Sequence, residues 1–104
     1  MDITVIGGTG EEGFGLTLRL AKAGQHVIIG SRYEEKGQTV AGKAREILGG
    51  SAEVDGTTNE KAAEQGDLVF VTVPYAGQAD IYRAIKDHVA EGKIVVDCTS
   101  PLGA

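Results

Sequence analysis

Gly8-Thr9-Gly10-Glu11-Glu12-Gly13 spells G-x-G-x-x-G directly after the short β-rich run Ile3-Thr4-Val5-Ile6. A turn of this spacing, following a strand and opening a helix, is suited to holding a pyrophosphate. Gly8 permits the tight turn, Gly10 lets the backbone approach the phosphates, and Gly13 lets the helix pack close to the strand. The N–H groups and positive dipole end of the helix then face the anion. Glu11 and Glu12 complicate the chemistry, because carboxylates suit a helix N-terminus that holds no anion. They are expected to contribute backbone N–H groups and to cost some affinity. The plain alternative is a glycine turn without a ligand.

A second group of residues bears on which nucleotide would fit. Sites for NAD present an acid about 20 positions further on, at the end of the second strand, where it binds the ribose hydroxyls. Counting on from Gly10, the twenty-first residue is Ser31, and Arg32 follows it. No acid stands there. A hydroxyl and a guanidinium suit a 2′-phosphate, which Arg32 would hold through charge-assisted hydrogen bonds. Lys36 lies four residues beyond Arg32, so a helix starting here puts both cations on one side. The alternative is a solvated helix start in which Arg32 and Lys36 balance Glu34 and Glu35.

The elements that must position these residues alternate. The run Ile3–Ile6 is followed by a helix from Glu11 to Ala23, with Leu16, Leu20 and Ala23 at helical spacing, Phe14, Leu18 and Ala21 broadening the face, and Gly24 as the cap. His26–Ile29 is a second strand, ended by Gly30-Ser31. Glu34–Leu48 is a second helix, stopped by Gly49-Gly50. Glu53–Asp55 is a weak third strand, and Thr58 or Asn59 caps a short helix to Gln65. Leu68–Val73 is the strongest strand, ended by Pro74. A helix through Ile81, Ile85 and Val89 follows, and Lys93–Cys98 is the fifth strand. This pattern predicts an α/β, Rossmann-type doubly wound parallel sheet of five strands in the order 3-2-1-4-5, forming one domain over residues 1–104.

Composition narrows the function classes. The 104 residues carry a net charge of −5, which argues against a nucleic-acid or anionic-membrane surface as the main role. One cysteine, Cys98, and two histidines leave no internal disulfide and no Cys/His zinc site. Neither a signal peptide nor a membrane-spanning run is visible, so the expected address is the cytoplasm.

Gly7-Gly8-Thr9-Gly10 with Gly13, then Gly30-Ser31-Arg32 and Lys36, then Thr72-Val73-Pro74 together resemble the F420-dependent NADP oxidoreductase family, along the whole chain. Related nucleotide domains occur in pyrroline-carboxylate reductases and STEAP-type metalloreductases. The resemblance implies NADP and coenzyme F420 as the cofactor and co-substrate, with reversible hydride transfer between them. It implies NADP contacts at Thr9, Gly10, Glu11 and Glu12, and 2′-phosphate contacts at Ser31, Arg32 and Lys36. Val73, Pro74 and the segment after it, including Gly77, would line the nicotinamide half, with Ser100 beyond the fifth strand. Tyr75 stands where a tryptophan is familiar, and Gly77 where a larger polar residue can stand. Family members look roughly twice this long and carry a C-terminal portion that completes the deazaflavin site and the dimer; that portion is absent here. A homo-oligomer is another way to close the site.

Other residues with chemical potential have simpler readings. Cys98 closes a strand without an assignable base, so no nucleophile is expected. Asp97 is expected to hold a turn. His26 and His88 have no partner legible in the sequence and are expected to be structural or solvent-facing. Glu34, Glu35, Glu60 and Glu64 are expected on solvated helix faces. Direct hydride transfer needs alignment and exclusion of water more than a side-chain acid or base, so no catalytic residue is named. The rivals are a non-enzymatic NADP-binding module and an NADPH-dependent reductase of another substrate.

Overall fold

Ile3, Val5, Val27, Ile28, Ile29, Val54, Val69 and Val71 are β-branched and at most 4% exposed. Such residues fill a sheet that is covered on both faces. In the computed structural model, which describes residues 1–72, 78–89 and 92–98, they build five strands: β1 (Asp2–Ile6), β2 (His26–Ser31), β3 (Val54–Thr58), β4 (Leu68–Val71) and β5 (Ile94–Asp97). All four pairings are parallel, and the order is β3-β2-β1-β4-β5, as the sequence predicts. The helices are α1 (Glu11–Lys22), α2 (Glu34–Leu48), α3 (Asn59–Gln65) and α4 (Gln78–Ile85). Among the described residues no helix is long and apolar enough to cross a membrane.

The two-residue alternation of each strand divides the core. Val5, Val27 and Ile29 meet Ala21 of α1 and Ala41 and Ala44 of α2 on one face. Ile6, Ile28, Val69 and Val71 meet Ala62 and Ala63 of α3 and Ile85 of α4 on the other. The chain builds outward from β1 to β3, then returns to lay β4 on the other side of β1. A crevice therefore opens beyond the carboxyl ends of β1 and β4.

Several local expectations change. The fully buried seam of α1 is Gly13, Thr17 and Ala21, while Leu16 and Leu20 are only half-buried and Ala23 is exposed. Small residues win because α1 lies close against the sheet; the Thr17 hydroxyl is satisfied by donating to the Gly13 carbonyl at 2.9 Å. β2 continues through Gly30 and Ser31, because β3 pairs with it as far as Thr58. β3 is longer than its sequence suggests, since Gly56 in its centre lets α2 approach in backbone contact at Gly37. A Cβ on Gly56 would stand 2.7 Å from the Gln38 nitrogen. Gly56→Ala is therefore expected to cost about 1–3 kcal/mol through overpacking. Thermal unfolding should show the Tm falling by about 4–8 °C per kcal/mol lost; an unchanged Tm would mean that α2 has room to move.

His26 has the partners that the sequence did not reveal. Its Nδ1 lies 2.9 Å from Asp2 Oδ1 and its Nε2 lies 2.7 Å from Asp55 Oδ2, so carboxylates from β1 and β3 flank the first residue of β2. The hydrogen bond to Asp55, helped by Asp2, outweighs burial and raises the imidazole pKa above its ordinary value. A raised folded-state pKa contributes stability that is fully present below the unfolded imidazole's value, about 6.5. That contribution is lost as pH rises through the folded value. His26→Gln should thus destabilise the protein more at pH 5.5 than at pH 8.5. Urea unfolding at both pH values checks this, and a pH-independent gap would mean that the bridge carries no charge.

Candidate functional site

The glycine turn is tied to the neighbouring strand. After β1 the backbone reverses at Gly7, whose φ of +75° favours glycine. The N–H groups of Gly7 and Gly8 both donate to the Gly30 carbonyl, at 3.0 and 3.2 Å, and Gly10 N–H donates to the Gly7 carbonyl at 3.1 Å. The tight turn therefore belongs to Gly7 and not to Gly8, a correction to the sequence reading. Gly8 is required for another reason: a Cβ there would sit 2.8 Å from Ile29 Cγ2. Gly13 has the packing role expected of it, since a Cβ would fall 2.6 Å from Thr72 Oγ1 and 2.7 Å from the Gly7 carbonyl oxygen.

Gly10 differs from both. It is the N-cap of α1 and supplies no side-chain cap. A Cβ on Gly10 would meet only the Gly7 carbonyl oxygen, at 3.6 Å. The protein itself leaves that space open. The first N–H groups of α1 have no acceptor within the helix and point out past Gly10. This is the geometry of an anion cradle at a helix N-terminus.

The end of β2 supplies the second half of the site. Ser31 is 3% exposed, and its hydroxyl accepts the Tyr33 N–H at 3.4 Å. Arg32 and Lys36 are exposed, and among the described residues neither has an ion-pair partner. Glu34 does not balance them; it is turned away. It accepts from Thr57 Oγ1 at 3.1 Å and lies 3.5 Å from Lys61 Nζ. Glu64 likewise has a partner, His88 at 3.4 Å.

A cleft of about 310 Å³ joins these parts, lined by Gly7, Thr9, Gly10, Ser31, Arg32, Tyr33, Lys36, Asn59, Thr72 and Ile81. Glu11 and Glu12 are exposed and do not line it. They line an adjoining cleft of about 300 Å³ with Arg19, Thr72 and Cys98. Thr72 borders both. Burial, with smaller effects from Glu12 and Asp97, pushes the Cys98 thiol pKa up and away from the thiolate that a nucleophile needs. A larger groove of about 380 Å³ over α4 and β5 is lined by Ala79, Ile85, Val89 and Val95 together with Tyr82, Arg83 and Lys86.

The structure thus brings Thr9, Gly10, Ser31, Arg32 and Lys36 to one cleft. It places Gly8 and Gly13 in the frame behind it, and the Glu11 and Glu12 side chains beside it. Val73, Pro74, Tyr75, Gly77 and Ser100 lie outside the described residues. Sequence reasoning missed Tyr33, Asn59 and Ile81. Asn59 carried a signal, as a polar residue beside the cap. The cap itself is Thr58, whose hydroxyl accepts the Lys61 N–H at 3.3 Å.

The chain is 47% identical over 103 residues to the F420-dependent NADP reductase of Methanothermobacter thermautotrophicus, a match covering 98% of this chain and 44% of that protein. It is 45% identical over 105 residues to the protein of the same description from Methanocaldococcus jannaschii, covering 98% and 46%. The chain therefore spans less than half the length of these curated relatives. The lactate dehydrogenase of Cryptosporidium parvum superposes with a TM-score of 0.77 at 18% identity, over 96% of this chain and 37% of that one, which is a likeness of fold. The family described as NADP oxidoreductase coenzyme F420-dependent matches residues 2–101. With that match spanning nearly the whole chain, glycine turn and cationic strand end included, the chain belongs to this family.

Proposed function

We propose that this chain is the NADP(H)-binding part of an oxidoreductase that moves hydride between NADPH and coenzyme F420. The observation that carries the nucleotide half is the end of β2: a buried hydroxyl beside two cations that have no ion-pair partner among the described residues, where an NAD site has an acid. The open space at Gly10 fits a pyrophosphate, and the cleft fits the rest of an adenosine 2′-phosphate. The relatives' descriptions support F420 as the acceptor.

The residues divide the work. The first turn of α1 offers its N–H groups to the pyrophosphate, while Glu11 and Glu12 keep their carboxylates outside the main cleft. Arg32 and Lys36 hold the 2′-phosphate, and Ser31 adds a hydroxyl. Tyr33 and Ile81 offer flat or apolar surface for the base. Val73, Pro74, Gly77 and Ser100 belong to the nicotinamide half of the proposal. Bound NADPH supplies the hydride. The chain contributes alignment and shelter from water, which for direct transfer between two rings contributes most to the rate.

The test is to mix the protein with NADPH and oxidised F420 and follow the deazaflavin absorbance. Loss of that absorbance in step with NADPH oxidation is expected. Nucleotide binding without any change in F420 would leave a binding module, or a reductase of another substrate.

A further inference from the structure

We propose that Asn59 is a ribose-binding residue of the nucleotide cleft, its neutral carboxamide hydrogen-bonding the 3′-hydroxyl of an adenosine 2′-phosphate. The proposal rests on the reading of the cleft as an NADP site. Asn59 is only 4% exposed, lines the cleft beside Ser31, and carries an Oδ1 that is buried without a hydrogen-bond partner among the described residues. A buried polar atom left unpaired is costly and calls for an explanation. Helix capping does not supply one, because Thr58 already caps α3.

The carboxamide lies between Gly30 and the cleft, so a half-turn about its last bond exchanges its oxygen and its N–H₂ between the two sides and presents either to a ligand. Asn59 Oδ1 packs against Gly30, where a Cβ would stand only 2.8 Å away. Gly30 is the residue whose carbonyl anchors the glycine turn, and it immediately precedes Ser31. In an adenosine 2′-phosphate the ribose links the 5′-pyrophosphate to the 2′-phosphate. With the pyrophosphate at Gly10 and the 2′-phosphate at Ser31 and Arg32, the 3′-hydroxyl falls between them, against the end of β2. That hydroxyl both donates and accepts, as a carboxamide does. An acid at the end of β2 binds ribose hydroxyls in NAD sites but would repel a 2′-phosphate. A carboxamide arriving from α3 makes the same kind of bond without the charge.

The test is a calorimetric cycle on the purified chain with 2′,5′-ADP and its 3′-deoxy analogue, using unaltered protein and Asn59→Ala. Removing the 3′-hydroxyl should weaken binding to the unaltered protein about five-fold. In Asn59→Ala the two ligands should bind equally. Asn59→Leu, which keeps more of the buried volume, gives the same comparison if the alanine variant does not fold. A second arm is Asn59→Asp at pH 8, which should lower the preference for NADPH over NADH. If the 3′-hydroxyl matters as much in Asn59→Ala as in the unaltered protein, or if Asn59→Asp leaves the preference unchanged, the assignment falls while the NADP site stands. If 2′,5′-ADP does not bind the unaltered protein, both fall.

Discussion

Gly10→Val is expected to abolish nucleotide binding while leaving the fold intact. Gly10 has φ −79° and ψ 167°, an extended conformation that valine adopts readily. Its Cβ would meet only one protein atom, at the ordinary contact distance of 3.6 Å. As an N-cap, valine is a poorer residue than glycine, by roughly 1 kcal/mol or less. The branched side chain would instead occupy the space through which a pyrophosphate reaches the helix N–H groups. A loss of at least about 100-fold in affinity is expected, equal to about 2.8 kcal/mol. Circular dichroism should remain that of the unaltered chain while NADPH titration shows no saturation. Tight binding by the variant would place the ligand elsewhere. The contrast with Gly13 makes the result specific, because a Cβ there strikes Thr72 and the Gly7 backbone and would disturb the fold first.

Arg32→Ala is expected to weaken NADPH about ten-fold or more and to leave NADH nearly unchanged. A hydrogen bond to a charged group contributes about 1.5–3 kcal/mol, and a ten-fold change is about 1.4 kcal/mol. Arg32 has no ion-pair partner among the described residues, so its removal strands no buried carboxylate and leaves the fold alone. Lys36, in the first turn of α2, lines the same cleft and holds part of the field, so the loss is partial. Lys36→Ala in addition should remove most of the remaining preference. The check is the ratio of the two dissociation constants in each variant. Equal weakening of NADPH and NADH would mean that Arg32 contacts something common to both nucleotides.

The backbone plan was legible because it rests on local signals. The apolar runs at β1, β2, β4 and β5 and the glycines after each helix fix the alternation, and the alternation fixes a parallel sheet. The missing acid at Ser31 was equally readable, because it is a matter of counting from Gly10. Features that join distant segments were not. Nothing near His26 announces Asp2 and Asp55, which the sheet brings from two other strands. The weak strand read at Glu53–Asp55 stops short of Gly56, which lies at the centre of β3. Its value appears only when α2 lies against it at Gly37. The shift of the tight turn from Gly8 to Gly7 has the same origin, since Ile29 of the neighbouring strand occupies the space behind Gly8. Asn59 illustrates the limit best: short-range rules offered both Thr58 and Asn59 as the cap. Only the packing of α3 over Gly30 shows that Thr58 caps the helix and the carboxamide lines the cleft.

The most direct test of the central claim is a pair of calorimetric titrations of the unaltered chain, one with NADPH and one with NADH. The two ligands differ only in the 2′-phosphate that Ser31, Arg32 and Lys36 are assigned to hold. NADPH is expected to bind at least about ten-fold more tightly, the effect of one charge-assisted contact or more. Added salt should narrow the gap, because Arg32 and Lys36 are exposed and screened. Equal affinities, or a preference for NADH, would contradict the account.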